Sequence, residues 1–460
     1  MSLPERFPEV SIDEKEDYNP GIRLFGKRFI KDQTTLEYLS EFLAVLFSDK
    51  MISQEEISTP LPSFHMIQNW PKREALYYKP PIKLNLKLFA LLSVSRIDAR
   101  HQAHKEQYKR LHRNLKEKIT YYRQGTDIVE LLEEFLRGLQ GAGFDRAWCA
   151  QTFFPMSKSL ITKETIWNET KARGKKDLTW FDTLNSDYYR TRRAFLARGG
   201  ELLYLHLCNA FSTDQDKVNT LGEKMLSIAP NSFASEELKI DKLHSSLQTG
   251  FQRLQGPFTE TLDRLVDCIE NLDQETHKKT NQDKMLSCQW CPRDSWHEGL
   301  IFAIELNRLL SAGLDPIERL ELMMNGCALH VLRSLSAQSQ RYAETVMEPA
   351  KNLFGYAWIF TANNISVRQN KIVAQRNLET LQSMIYQAVH IKELQENAGK
   401  DPNEKHTVEK LLKEADNKYG FKLFLSLGKN LGIISPKKGP GARFIMTDRV
   451  LRYLVLVLLP

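Results

Sequence analysis

The sequence predicts a mainly α-helical, multidomain protein that ends in a winged-helix module of the α+β type. The chain has 460 residues, and hydrophobic cores stop growing at about 250–300 residues, so several domains are expected. Apolar residues recur mostly at three- and four-residue spacing, which is the period of an amphipathic helix. Residues 404–460 instead combine helical patterns with a short, glycine-rich hairpin pattern.

Composition and charge favour a globular protein of the cytoplasm. Apolar residues make up 42% and charged residues 26% of the chain, as in globular domains. The net charge of +7 only leans toward an acidic partner. Six cysteines without a regular spacing do not indicate a disulfide framework and predict a reducing, cytoplasmic setting. Residues 1–17 lack the apolar core of a signal peptide, and no apolar run approaches the length of about 20 residues that a membrane helix needs.

Four domains are predicted along the chain. They are an N-terminal helical domain with a proline-rich connector (1–95), a helical domain with a basic and acidic hairpin (96–260), a helical domain with a candidate Cys/His site (261–398), and the winged helix (404–460).

Local patterns assign the elements of the first domain. Residues 32–48 read as a helix whose first turn carries a capping box of Thr34 and Glu37. Residues 58–81 contain five prolines and are predicted to be a connector, neither a regular helix nor a central strand. Residues 82–88 alternate apolar and polar side chains and suggest a short strand that runs into a helix.

One segment resembles a nucleotide-binding loop. Residues 21–27 match the phosphate-loop pattern G-x-x-x-x-G-K, but Arg28 follows where the Mg²⁺-binding Ser or Thr is needed. We therefore expect an ordered loop or a basic entry segment here.

Two consecutive helices of opposite charge are predicted to form a hairpin. Residues 96–123 carry nine basic and three acidic residues, and the following helix, 127–140, is acidic. The apolar face of the acidic helix is predicted to comprise Leu131, Leu132, Phe135 and Leu139. Tyrosines alternate with the basic residues, as they could in a helix that binds along a phosphate backbone. Charge compensation between the two helices of a hairpin is nevertheless the favoured interpretation.

The third domain contains a possible structural zinc site. Cys288 and Cys291 form a Cys-x-x-Cys pair, and Cys327 and His330 follow as a second pair, with His297 as an alternative fourth ligand. Four such ligands suit a tetrahedral, structural zinc ion. The alternative is that Cys327 and His330 are core residues of an apolar helix stripe. No other cofactor is predicted.

The C-terminal module carries the candidate nucleic-acid site. Its predicted elements are helix 407–418, helix 421–431, strand 433–434, the loop 435–443, strand 444–446 and a final helix from Asp448. This is the winged-helix order. The candidate nucleic-acid-binding residues are Lys429, Lys437, Lys438, Arg443 and Arg449. Lysines and arginines on a glycine-rich wing suit phosphate contacts, but winged helices also serve as protein-interaction modules.

The apolar end of the chain needs a covering surface. Residues 450–459 are predicted to form an apolar helix, which indicates either a helix docked on another part of the protein or a shortened chain.

Catalytic patterns were not recognised in the sequence. It contains no G-x-S-x-G or H-E-x-x-H motif. The cluster 188–193, with three arginines, suits either phosphate recognition or surface salt bridges. The sequence thus favours binding over catalysis, with an unrecognised enzymatic site in the helical middle as a further hypothesis.

Three segments, 19–28, 198–201 and the predicted wing, resemble components of bacterial phage-defence islands of the methylation-associated type. The resemblance implies a cytoplasmic protein that acts beside DNA-modifying, DNA-cutting or ATPase subunits, and it transfers no catalytic residue. The favoured function is therefore a non-enzymatic DNA-binding scaffold or accessory subunit of such a complex. The alternative is an adaptor whose winged helix and last helix bind a partner subunit instead of DNA.

Overall fold

The structure is a computed structural model. It describes residues 4–11, 20–26, 29, 33–79, 83, 85–86, 89, 102–119, 125–138, 140–141, 152–161, 199–228, 233–254, 259–275, 285–343, 367–390, 409–410, 412–413, 415–416, 420–437 and 439–458.

The described residues are mainly helical, as the sequence predicts. The first elements are β1 (Arg6–Phe7), α1 (Pro20–Phe25), α2 (Thr35–Phe47), β2 (Lys50–Ile52), β3 (Glu55–Ile57), α3 (Phe64–Gln68) and β4 (Leu76–Tyr78). They are followed by α4 (Gln102–Ile119), α5 (Gly125–Gly138), β5 (Gln140–Gly141), β6 (Thr152–Phe153), α6 (Gly200–Phe211), α7 (Gln215–Ile228), α8 (Ile240–Arg253) and α9 (Thr259–Glu270). The last are β7 (Leu286–Ser287), β8 (Cys291–Pro292), α10 (Trp296–Ser311), α11 (Pro316–Tyr342), α12 (Val367–Val389), α13 (Phe421–Leu431), β9 (Ile434–Ser435), β10 (Arg443–Phe444) and α14 (Asp448–Leu458).

The capping box of the first long helix is confirmed. The Thr34 hydroxyl accepts a hydrogen bond from the Glu37 backbone N–H at 3.3 Å, and the Glu37 carboxylate accepts one from the Thr34 N–H at 2.5 Å. Two donors at the helix start are thereby satisfied, which fixes where α2 begins.

The connector prediction for residues 58–81 is wrong in part. Residues 64–68 form α3, and residues 76–78 form β4, which lies between β2 and β7 in an antiparallel sheet of order β3-β2-β4-β7. The strand fits between Pro71 and Pro80, so that its backbone N–H groups remain available for pairing. Asn85 and Leu86, expected in a strand, are helical and contact the end of α9, where the Asn85 amide donates to the Glu270 carbonyl at 2.8 Å.

The central helices approach each other closely at a glycine. α6 packs between α2 and α10. A Cβ atom on Gly299 of α10 would lie 2.2 Å from the His206 carbonyl oxygen of α6, which is far inside van der Waals contact. The absence of a side chain at this position therefore sets the distance between the two helices.

A single cluster of buried apolar side chains contains residues from each of the four predicted domains, from Phe7 to Val457. Whether the chain divides at the predicted boundaries stays a prediction, and residues 397–405, which the sequence predicts to be a linker, lie outside the described residues.

The two oppositely charged helices, α4 and α5, pack against each other as expected of a hairpin. The predicted apolar face of α5 is wrong in part, because Leu131 is 70% and Phe135 is 46% exposed. Val129 and Leu136 are buried instead. The helix is rotated so that Glu133 can accept a hydrogen bond from the Tyr108 hydroxyl of α4.

Among the described helices, none combines the length and apolarity that a membrane crossing requires.

Candidate nucleic-acid interface

The C-terminal segment contains a helix, a β-hairpin and a final helix in the predicted order. In the hairpin, Arg443 is paired with Ser435 and Phe444 with Ile434. The strand pairing continues with a hydrogen bond from the Ile445 N–H to the Ile433 carbonyl at 2.9 Å. The preceding helix is described only at a few positions, of which Glu409, Lys410, Leu412 and Lys413 are helical. The complete winged helix stays a prediction.

Apolar side chains fix one face of this segment against the body of the protein. Leu423, Phe424 and Leu427 of α13 are buried, and Phe424 packs edge-on against Phe444 with ring centroids 6.3 Å apart. α13 packs on α11, and β10 packs on α12. The hairpin is therefore held on the helical body along its apolar side.

The opposite face of the hairpin is polar and cationic. Residues that are paired across two antiparallel strands lie on the same face, and successive residues lie on opposite faces. Because Phe444 and Ile434 face the core, Arg443 and Ser435 face outward. Both are partly exposed.

The hairpin tip projects from the body. Lys437, Gly439, Pro440 and Gly441 are all exposed. Gly439 and Gly441 have φ angles of +92° and +79°, and no atom lies within 4 Å of a Cβ built on either. Glycine adopts these backbone angles without strain, so the turn is tight and open to solvent.

Positive charge dominates this end of the molecule. Residues 420–458 contain seven lysines and arginines and one carboxylate, Asp448. None of Lys429, Lys437, Arg443 and Arg449 forms an ion pair with another described residue. Lys438 lies outside the described residues. The cations of the wing are therefore not neutralised within the described part of the chain.

One exposed lysine of the same segment was missed in the sequence. Lys422 lies on α13 seven residues before Lys429 and is exposed. A spacing of seven residues places both side chains on the same side of a helix. The seven-residue spacing could have indicated a basic helix face, but the prediction relied on the cluster of basic residues in the loop.

The last helix is docked on the body, which agrees with the first of the two explanations for its apolar sequence. The Tyr453 hydroxyl donates to a carboxylate oxygen of Glu305 at 3.0 Å. The Arg308 guanidinium donates to the Val457 carbonyl at 2.8 Å and to the Glu237 carboxylate at 2.6 Å. α14 is thus held by polar contacts at its middle and at its end.

A buried polar network lies beneath α14. Arg333 and Glu305 form an ion pair in which both side chains are almost fully buried. The Nη1 of Arg333 lies 3.5 Å from Nδ1 of His330, whose Nε2 lies 2.9 Å from Nδ1 of His206. Since a guanidinium only donates, His330 accepts at Nδ1 and donates from Nε2 to His206. Both imidazoles are therefore neutral in the folded protein.

Burial lowers the pKa of His206 from 6.5 to about 4, and it also lowers that of His330. Between these pH values the unfolded chain binds more protons at His206 than the folded chain, so the free energy of unfolding rises with pH. We expect full stability above pH 6.5 and a loss of about 3 kcal/mol from His206 alone as the pH falls toward 4. Urea unfolding at a series of pH values measures this loss.

The His206→Gln variant is expected to show a shallower pH dependence over the same range. His65→Gln is the matched control, because His65 is exposed on α3. An unchanged slope in His206→Gln would contradict a neutral, buried His206.

The four candidate zinc ligands do not form a cluster. Among the described residues, no group of three or more His, Cys, Asp or Glu side chains is placed to hold a metal ion. His330 contacts His206 and Arg333, and Cys327 is a buried residue of α11. Cys288 directly follows β7 and Cys291 begins β8, both buried, and the His297 ring is tilted against that of Trp296 with centroids 3.9 Å apart. The zinc ion stays a prediction of the sequence without support from this geometry.

Of the remaining sequence candidates, only part of the G-x-x-x-x-G-K segment is described. Residues 20–25 form α1, with Leu24 and Phe25 buried, so the prediction of an ordered loop is wrong for this part of the segment, which is a helix. Lys27 and Arg28 lie outside the described residues, as do the cluster 188–193 and Arg198.

The helix face of α13 and the hairpin tip together form the candidate interface, on the grounds of charge, exposure and shape. Comparisons of the chain with protein-family models, with curated proteins and with solved structures found no match.

Proposed function

We propose that the protein is a non-enzymatic DNA-binding scaffold or accessory subunit, and that it contacts duplex DNA through α13 and the hairpin between β9 and β10. The observation that carries the proposal is a set of exposed or partly exposed cations, Lys429, Lys437, Arg443 and Arg449, without ion-pair partners among the described residues.

The physical basis of the proposed DNA binding is counterion release. Lysine and arginine side chains that neutralise phosphates release condensed cations from DNA, which drives binding and makes it depend on salt. The glycines of the hairpin tip allow the backbone to approach a phosphate chain closely. The apolar side of the hairpin, fixed on α12, holds the cations at one place on the body.

A role in a bacterial defence complex is part of this proposal. It is supported by the sequence resemblance alone, which implies protein partners that modify or cut DNA. In this account the protein positions DNA for those subunits and performs no chemistry itself.

The salt dependence of DNA binding tests the proposal. Fluorescence anisotropy of a labelled duplex, measured at several salt concentrations, is expected to give an affinity that falls linearly with the logarithm of salt. Five phosphate contacts, from the four cations named above and Lys438, correspond to a slope of about −4.5. An absence of binding at low salt would remove the proposal.

An adaptor function is the second candidate, and one observation favours it. On α14, Leu451 and Val455 are each 48% exposed, whereas Leu454 is buried. An exposed apolar pair beside the wing suits a protein partner. This candidate predicts that DNA binding is absent although the fold is intact.

A further inference from the structure

The hairpin between β9 and β10 has a thin apex, formed by residues 439–441. The strand pairing ends at Ser435 and Arg443, and the chain turns back between them through Gly439, Pro440 and Gly441, which are all exposed. A Cβ atom built on either glycine would meet no other atom within 4 Å. Apart from one proline ring, the apex therefore presents only backbone, with open space where side chains would stand.

Cations lie on both sides of this apex. Lys437 precedes it and is exposed, and Arg443 follows it and is partly exposed. Neither forms an ion pair with another residue that the structure describes. Ile434 and Phe444, beside the base of the hairpin, are buried. The body thus holds the base of the hairpin, while the apex and its two cations remain open to a polyanion.

The two grooves of B-DNA differ in what they can admit. The major groove is about 12 Å wide and admits a whole helix, whereas the minor groove is about 6 Å wide. An α-helix with its side chains is about 10–12 Å across, so α13 fits only the major groove. A turn that consists mainly of backbone is narrow enough for the minor groove.

We infer, on the basis of the proposed function, that the hairpin apex enters the minor groove and that the protein selects duplexes rich in A·T pairs. Runs of A·T pairs have a narrow minor groove, whose enhanced negative potential attracts lysine and arginine. Lys437 and Arg443 flank the apex and lie where they meet this potential. In a G·C pair the 2-amino group of guanine projects into the minor groove, where it obstructs the close approach of the backbone at 439–441.

Three labelled duplexes of equal length test the inference with the full-length chain. Their central pairs are A·T, G·C or inosine·C. Inosine is the nucleoside of guanine without its 2-amino group, so the inosine·C pair resembles A·T in the minor groove and G·C in the major groove. Fluorescence anisotropy is expected to give about fivefold tighter binding to the A·T duplex than to the G·C duplex, which is the discrimination that a single base pair can provide. The inosine·C duplex is expected to bind about as tightly as the A·T duplex.

A pair of variants locates the preference on the protein. Lys437→Gln with Arg443→Gln removes the two cations beside the apex and is expected to reduce the preference for A·T to below about twofold, because the narrow groove no longer gains their charge. The matched control, Lys429→Gln with Arg449→Gln, removes two charges from α13 and α14. It is expected to weaken binding to all three duplexes by the same factor and to leave the preference unchanged.

Other outcomes overturn the inference. Equal affinity for the A·T and G·C duplexes contradicts it while the proposed DNA binding stands. An inosine·C duplex that binds as weakly as the G·C duplex places the preference in the major groove, which also contradicts it. Loss of the preference in the control variant assigns it to the helices and not to the apex. A chain that binds none of the three duplexes removes the proposed function together with the inference.

Discussion

Replacing Arg333 with alanine is expected to lower the free energy of unfolding by about 3–5 kcal/mol, because it leaves a buried carboxylate without its ionic partner. The side chains of Arg333 and Glu305 are 0% and 2% exposed, so solvent cannot take the place of the guanidinium. The same carboxylate accepts a hydrogen bond from Tyr453, and the substitution should therefore also loosen α14.

Equilibrium unfolding in urea measures this effect, and Arg264→Ala is the matched control. Arg264 forms an exposed pair with Glu260 one helical turn away, and such pairs contribute less than about 0.5 kcal/mol. The double variant Arg333→Met, Glu305→Leu is expected to recover much of the loss, since it removes both charges. A loss for Arg333→Ala as small as that of the control would contradict the buried ion pair.

Reversing the charge of the wing is expected to lower the affinity for duplex DNA by more than tenfold. The variant carries Lys437→Glu, Lys438→Glu and Arg443→Glu. Each lost phosphate contact reduces the magnitude of the salt slope by about one, so the dependence on salt should become shallower by about three. Anisotropy titrations at several salt concentrations give both quantities.

The matched control reverses three charges elsewhere on the surface. Lys217, Lys242 and Arg264 are exposed and lie on α7, α8 and α9, and their replacement by glutamate changes the net charge by the same amount. An equal loss of affinity in this control would indicate that total charge, and not the wing, determines binding.

Local signals in the sequence were sufficient for some elements. The capping box at Thr34 and Glu37 involves residues three apart, and the hairpin around residues 434–444 is marked by two glycines and two prolines. These patterns depend on neighbours in the chain and need no knowledge of the tertiary fold.

Other features depend on distant partners and were missed for that reason. β4 pairs with β7, more than 200 residues later, and its three residues are too short to show a period. The polar network joins His206 to His330 across 124 residues, so neither histidine differs in sequence from an ordinary core residue. Which face of α5 is exposed depends on where α4 packs against it. The order of charged and apolar residues along α5 does not specify that position.

A photo-crosslink from the hairpin tip tests the central claim most directly. A photoreactive amino acid at Pro440, which is exposed between two glycines, is compared with the same amino acid at Lys109, which is exposed on the basic helix α4. The account predicts crosslinking to bound duplex DNA from position 440 and little from position 109. Crosslinking from position 109 without any from position 440 would show that DNA lies on the basic helix and would contradict the proposed interface.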